Sequence, residues 1–160
     1  MKKLEYDKNS ALDYAMRWAN SRNPVFYNFD NLGGDCTNFV SQCIFSGAKI
    51  MNYSKNLGWY YNNLNSRAPA WTGVKFLYDF LSQNKGFGPF AKEVSKSEIQ
   101  IGDVIFLINF NNEYYHSLFV SNVNGNEIFC SAHSLDAFNR PLSSYLYNNA
   151  KFMHILGVNA

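Results

Sequence analysis

The apolar residues of this chain change their period part-way along it, and that change limits the fold more than any other feature. Over residues 8–21, Ala11, Tyr14, Ala15, Trp18 and Ala19 recur at the spacing of one buried helix face. After a loop closed by Gly33-Gly34 comes a second stripe, Cys36, Phe39, Val40, Cys43 and Ile44, with Asp35 at the N-cap position and Gly47 at the C-terminal end. Thr72 is expected to cap a third helix carrying Val74, Leu77, Tyr78 and Leu81. Beyond Pro89 the pattern becomes strand-like, with segments at 104–108, 115–123, 127–132 and 151–158 and a hairpin turn at Asn124-Gly125. Helices first and strands second predict an α+β domain, N-terminal helices packed on a small antiparallel sheet.

A chain of 160 residues suits one domain, taken as residues 1–160. Charged residues are 16% and the net charge is +2, which excludes the clustered basic excess of a nucleic-acid binder. The longest apolar run, Val104 to Ile108, is too short to span a bilayer. No apolar segment follows Lys2-Lys3, so no signal peptide is expected. The chain is then cytoplasmic, or extracellular or wall-associated if it is an excised domain. The Asn clusters need no more than a coding bias. Aromatics reach 18%, and Trp59, Tyr60, Tyr61 and Trp71 are expected to wall a substrate groove.

Three cysteines cannot form a complete disulfide framework. Cys36 and Cys43 share one helix face about 10.5 Å apart, beyond the reach of a disulfide. Cys43 and Cys130 read as packed, and no Cys-x₂-Cys pair supports a zinc site. Cys36 differs because it opens a helix after a glycine-rich loop. Free backbone N–H groups and the helix dipole there are expected to lower its pKa and favour a thiolate. A thiol nucleophile needs a base, and His116, His133 and His154 are the candidates. His154 reads as a strand residue with a structural role.

Asp35-Cys36-Thr37-Asn38-Phe39-Val40 resembles the Asp-Cys-Ser-Gly-Phe-Val signature of NlpC/P60 cysteine peptidases. The longer run from Gly34 to Cys43 resembles the amidase_6 domain family more closely. Gly102-Asp103-Val104, His116-Ser117-Leu118 and Ser131-Ala132-His133-Ser134 follow in that family's order, so the resemblance covers about residues 6–158. It implies a papain-like fold and amide-bond hydrolysis through a Cys-His acyl-enzyme, with bacterial cell-wall peptides as the expected substrates. It implies no cofactor and a peptide or peptidoglycan-fragment substrate. A thiol acyltransferase or an inactive binding module on the same fold are the other readings. Cys36 would be nucleophile and His116 general base. His133 would orient the base, with Ser131 and Asp136 as alternatives. The oxyanion would rest on the Cys36 N–H, with Tyr27 and Asp35 nearby. Asp35 reads more as cap and loop organiser than as catalytic acid.

Overall fold

The computed structural model describes residues 1–160. A two-residue strand, β1 (Lys3–Leu4), leads into α1 (Lys8–Trp18). Asp7 caps α1, its carboxylate accepting from the Ser10 N–H at 3.0 Å. Ala11 and Ala15 are fully buried, which lets α1 lie close on α2 (Cys36–Ala48). The left-handed residue that ends α2 is Lys49, at φ 62°, and not Gly47. Gly47 serves close packing instead: a Cβ there would meet Asp7 O and the Tyr6 ring, each at 2.6 Å.

A small hairpin, β2 (Tyr61–Asn63) and β3 (Ser66–Arg67), precedes a single turn, α3 (Pro69–Thr72), and then α4 (Val74–Gln83). Thr72 closes α3 and does not cap α4, whose N-cap is Gly73. The Thr72 hydroxyl accepts from Arg67 Nε at 3.2 Å. The remaining strands are β4 (Gly88–Val94), β5 (Val104–Ile108), β6 (Tyr114–Asn124), β7 (Glu127–Ala132), β8 (Ala137–Pro141) and β9 (Asn149–Asn159). The four segments read as strands are present, and β1, β4 and β8 extend them to a seven-stranded sheet. All its pairings are antiparallel, in the order β4-β9-β5-β6-β7-β8, with β1 on β9 beyond the end of β5. The β6–β7 turn is Gly125-Asn126, because Asn124 already pairs with Glu127.

Alternation along the strands divides the core in two. Val104, Phe106, Phe119, Met153 and Ile155 face the helices. Ile105, Leu107, Leu118, Val120 and Cys130 face the other way, under the segment that carries Leu142 and Tyr145. Strand β5 is covered on both faces, which is why its sequence is continuously apolar. No helix is long and apolar enough to cross a membrane.

Candidate active site

Gly33 and Gly34, at φ 85° and 95°, deliver the chain to α2 through left-handed turns that side chains resist. Cys36 is the first residue of that helix and is 9% exposed. The Thr37 hydroxyl meets the Ser117 hydroxyl at 2.9 Å, both buried. Strand β7 pairs with β6 only from Phe119 onward, so at Ser117 that edge of β6 carries no β7 partner. The start of α2 is locked to this stretch, and the neighbour of Ser117 is His116. The Thr37 hydroxyl lies 3.7 Å from the Cys36 sulfur, and the backbone N–H groups of Ser117 and Thr37 favour its charged form.

His116 is 8% exposed and pairs with Leu107 across the ladder. Its ring lies 6.0 Å from that of Tyr115 and 5.8 Å from that of Tyr145. The Arg140 guanidinium stacks on Tyr145 at 3.9 Å and is held there by Ser144. Burial first, then the Arg140 charge, lowers the His116 pKa from 6.5 to about 4. The imidazole is therefore neutral and able to accept a proton at neutral pH.

The thiol departs from the expectation of a depressed pKa. Burial raises it, and the adjacent Asp35 charge acts in the same direction. The Ser117 and Thr37 donors oppose this without reversing it. Position at a helix start favours the thiolate, but loss of solvent around the sulfur outweighs it. Cys43 and Cys130 are fully buried, and burial raises both, Cys130 to about 12. All three cysteines are free.

His133 does not lie against His116. Its Nδ1 meets the Asp35 carboxylate at 2.5 Å and its Nε2 meets the Trp18 carbonyl at 2.7 Å. The two contacts tie the ring to the thiol loop on one side and to the end of α1 on the other. The ring also stacks on Phe39 at 4.1 Å. Both nitrogens are thus committed, and as a partner for the base His133 is corrected to a clamp on the loop before the thiol. Its two alternatives are committed elsewhere. The Ser131 hydroxyl donates to that of Ser121 at 2.7 Å, and Asp136 binds Arg22 on the surface.

Asp35 has no exposure and makes no side-chain cap bond to α2. It organises the loop instead. Its Oδ1 accepts from the Phe29 N–H at 2.8 Å and from Asn38 Nδ2 at 2.9 Å. Arg22, overlooked in the sequence, bonds Asp30 and Asp136 and brings its Nε to 3.4 Å from Asp35. The Ser134 hydroxyl accepts from the Asp35 N–H at 3.1 Å and donates to Asp30 at 3.0 Å. The segment from Ser131 to Ser134 is thus where a distant loop docks on the thiol loop.

The Trp59 and Trp71 assignment is overturned. Both are fully buried, their rings 4.8 Å apart, and form core and not groove wall. Trp59 Nε1 donates to the Ser41 hydroxyl and Trp71 Nε1 to Asn38 Oδ1, each at 3.0 Å. Large indoles bury well once the N–H finds a partner. Tyr27 is 43% exposed, and its carbonyl accepts from Asn38 Nδ2 at 2.9 Å, which fixes its loop to α2. His154 meets the Asp103 carboxylate at 2.9 Å, and that carboxylate also accepts from the Gln100 and Ile155 N–H groups. The Gly102-Asp103 motif is a structural knot. No group of three His, Cys, Asp or Glu side chains gathers as a metal site.

The sequence matches the family described as "Putative amidase domain", Amidase_6, over residues 5–156. The chain belongs to this family. A protein of Bacillus subtilis (strain 168), named "Uncharacterized protein YhbB", is 34% identical over 104 residues, which is 64% of this chain. The aligned part spans 32% of that relative's length. No solved structure matches. The Amidase_6 domain is here a helical layer on one antiparallel sheet, with the segments around Cys36, Asp103, His116 and His133 drawn from both layers.

Proposed function

We propose that this domain hydrolyses amide bonds through an acyl-enzyme on Cys36, with His116 as general base. The observation that carries the reading is the junction of α2 with β6. A thiol on the first helical turn is tied there, through the Thr37 and Ser117 hydroxyls, to the strand that carries His116, a buried imidazole held neutral. The thiol is mostly protonated at rest, so His116 takes its proton as the sulfur attacks the substrate carbonyl. The developing oxyanion is held by the free N–H groups at the start of α2, with Tyr27 at the rim. His116 then gives the proton to the leaving amine, and a thioester remains. Water, deprotonated by His116, attacks the thioester, releases the carboxylate and restores the thiol.

Peptides of the bacterial cell wall are the proposed substrate class, carried over from the resemblance to NlpC/P60 enzymes. Incubation with purified peptidoglycan fragments, read by mass spectrometry, tests this. The expected product pair is one new amine and one new carboxylate from a single peptide bond. Intact fragments beside cleavage of simple amides would remove the wall substrate and keep the chemistry.

The pH profile follows from His116. The base works only when unprotonated, and the unprotonated form dominates above its pKa. Activity as kcat/KM is expected to hold from neutral pH downward and to fall through about pH 4. Arg140→Gln removes a charge that disfavours imidazolium, so the acid limb should move to higher pH. A wild-type limb near 6.5, unmoved by Arg140→Gln, would contradict this environment for the base.

A further inference from the structure

A cavity of about 410 Å³ lies apart from the thiol, lined by neither Cys36 nor His116. One wall is the loop from Tyr53 to Gly58. The other is a face of α4 that presents Phe76, Asp79 and Gln83 at i, i+3 and i+7, while Leu77, Phe80 and Leu81 turn into the core. Tyr53 is 60% exposed and Phe76 59%. Scattered exposed aromatics need no explanation, but two that line one cavity do. Their exposure leaves apolar surface in water, which an occupant would cover.

The loop wall is built to stay in place. Asn52 and Trp59 exchange backbone bonds at 2.8 and 2.7 Å and close its neck. Inside the neck the Ser54 N–H donates to Asn52 Oδ1 at 2.8 Å. A side chain at Gly58 would collide with the Ser54 carbonyl oxygen, so the loop folds tightly on itself. The Tyr53 ring stacks on Tyr60 at 4.6 Å, and its hydroxyl donates to Asn62 Oδ1 at 3.0 Å. A ring pinned in this way loses little freedom when a ligand stacks on it.

We propose that this cavity binds a saccharide. Two aromatic rings suit the flat apolar faces of a pyranose. The polar lining from Ser54, Asn56 and Gln83 is neutral and offers both donors and acceptors, as ring hydroxyls require. Asp79 is paired with Lys75, and the one charge left in the lining without a carboxylate partner is Lys55 on the loop wall, whose ammonium is a further donor to ring hydroxyls. Ala68 and Ala70 close the floor with small apolar groups, room for an N-acetyl methyl. The proposal is independent of the hydrolase reading. The cavity is nevertheless close in the chain to the thiol loop: Tyr60 lines it, and the hydroxyl of the next residue, Tyr61, accepts from the Tyr27 N–H at 2.8 Å.

The test is titration of the ¹⁵N-labelled chain with the N-acetylglucosamine trimer, with the glucose trimer and N-acetylphenylalaninamide run alongside. Saturable shifts at the Tyr53–Gly58 loop and the exposed face of α4 are expected with a saccharide. Tyr53→Ala and Phe76→Ala should each weaken binding about tenfold. Both positions are exposed, so the melting temperature should stay within that of the wild type, and Cys36→Ala should bind as the wild type does. No shift with either trimer overturns the proposal, and so does preference for the aromatic amide. Binding that survives both aromatic variants overturns it as well.

Discussion

Asp35→Ala is expected to lower the melting temperature of this domain more than any other single change near the thiol. The substitution leaves His133 buried at 1% exposure without its carboxylate. It also strands the Phe29 N–H and one of the two N–H groups of Asn38 Nδ2, the other staying on the Tyr27 carbonyl. Removing one partner of a buried carboxylate–imidazole contact costs about 3–5 kcal/mol. At about 2–4 °C per kcal/mol for a chain of this size, the fall is about 6–20 °C. The expected loss exceeds that of an exposed pair, which is below about 1 kcal/mol. His133→Ala should lose a similar amount, and the double variant less than the sum, because each single change removes the same contact. Thermal unfolding followed by circular dichroism measures all three. Additive losses, or single losses under about 1 kcal/mol, would mean that the pair does not hold the thiol loop.

The second large effect is on turnover. Cys36→Ala should remove amide hydrolysis by about 10⁴-fold or more, as loss of a nucleophile does in other acyl-transfer enzymes. The fold should survive, since the side chain contributes little packing and the anchors of the helix start are Thr37, Asn38 and Asp35. His116→Ala should cost about 10²–10⁴-fold, the range of general acid–base catalysis. His133→Ala should act mainly through stability, so a variant kept folded at low temperature should retain more activity than His116→Ala. The reverse order would exchange their roles.

Much of this arrangement was legible in the residues. The stripe from Cys36 to Ile44 marked α2 because both its apolar spacing and its glycine loop agreed with one another. The run from Val104 to Ile108 marked a strand covered on both faces. Strands β4 and β8 escaped because one opens on Gly88-Pro89 and the other is short, half-exposed and set by its pairing to β7. Trp59 and Trp71 were misread because composition says how much aromatic surface exists and not which way it faces. Trp71 is buried where α3 packs on α2, and Trp59 between Trp71, Phe80 of α4 and Ser41 of α2.

The site divides in the same way. Cys36 and His116 carry local signals, a helix start and a strand residue in a recognisable run. The partners of His133 carry none. Asp35 lies 98 residues away and the Trp18 carbonyl 115, joined only by the fold. The lowered thiol pKa was a fair inference from a helix start, but burial is a tertiary property. It changes the chemistry expected of the pair, from a preformed thiolate to a neutral thiol that His116 deprotonates during attack.

The most direct test of this account is intact-mass analysis of the wild-type chain, acid-quenched during turnover of a peptide amide. An adduct equal in mass to the acyl part of the substrate, mapped by proteolysis to the peptide containing Cys36 and lost in Cys36→Ala, is the predicted result. Turnover with no adduct at Cys36, or activity undiminished in Cys36→Ala, would contradict it.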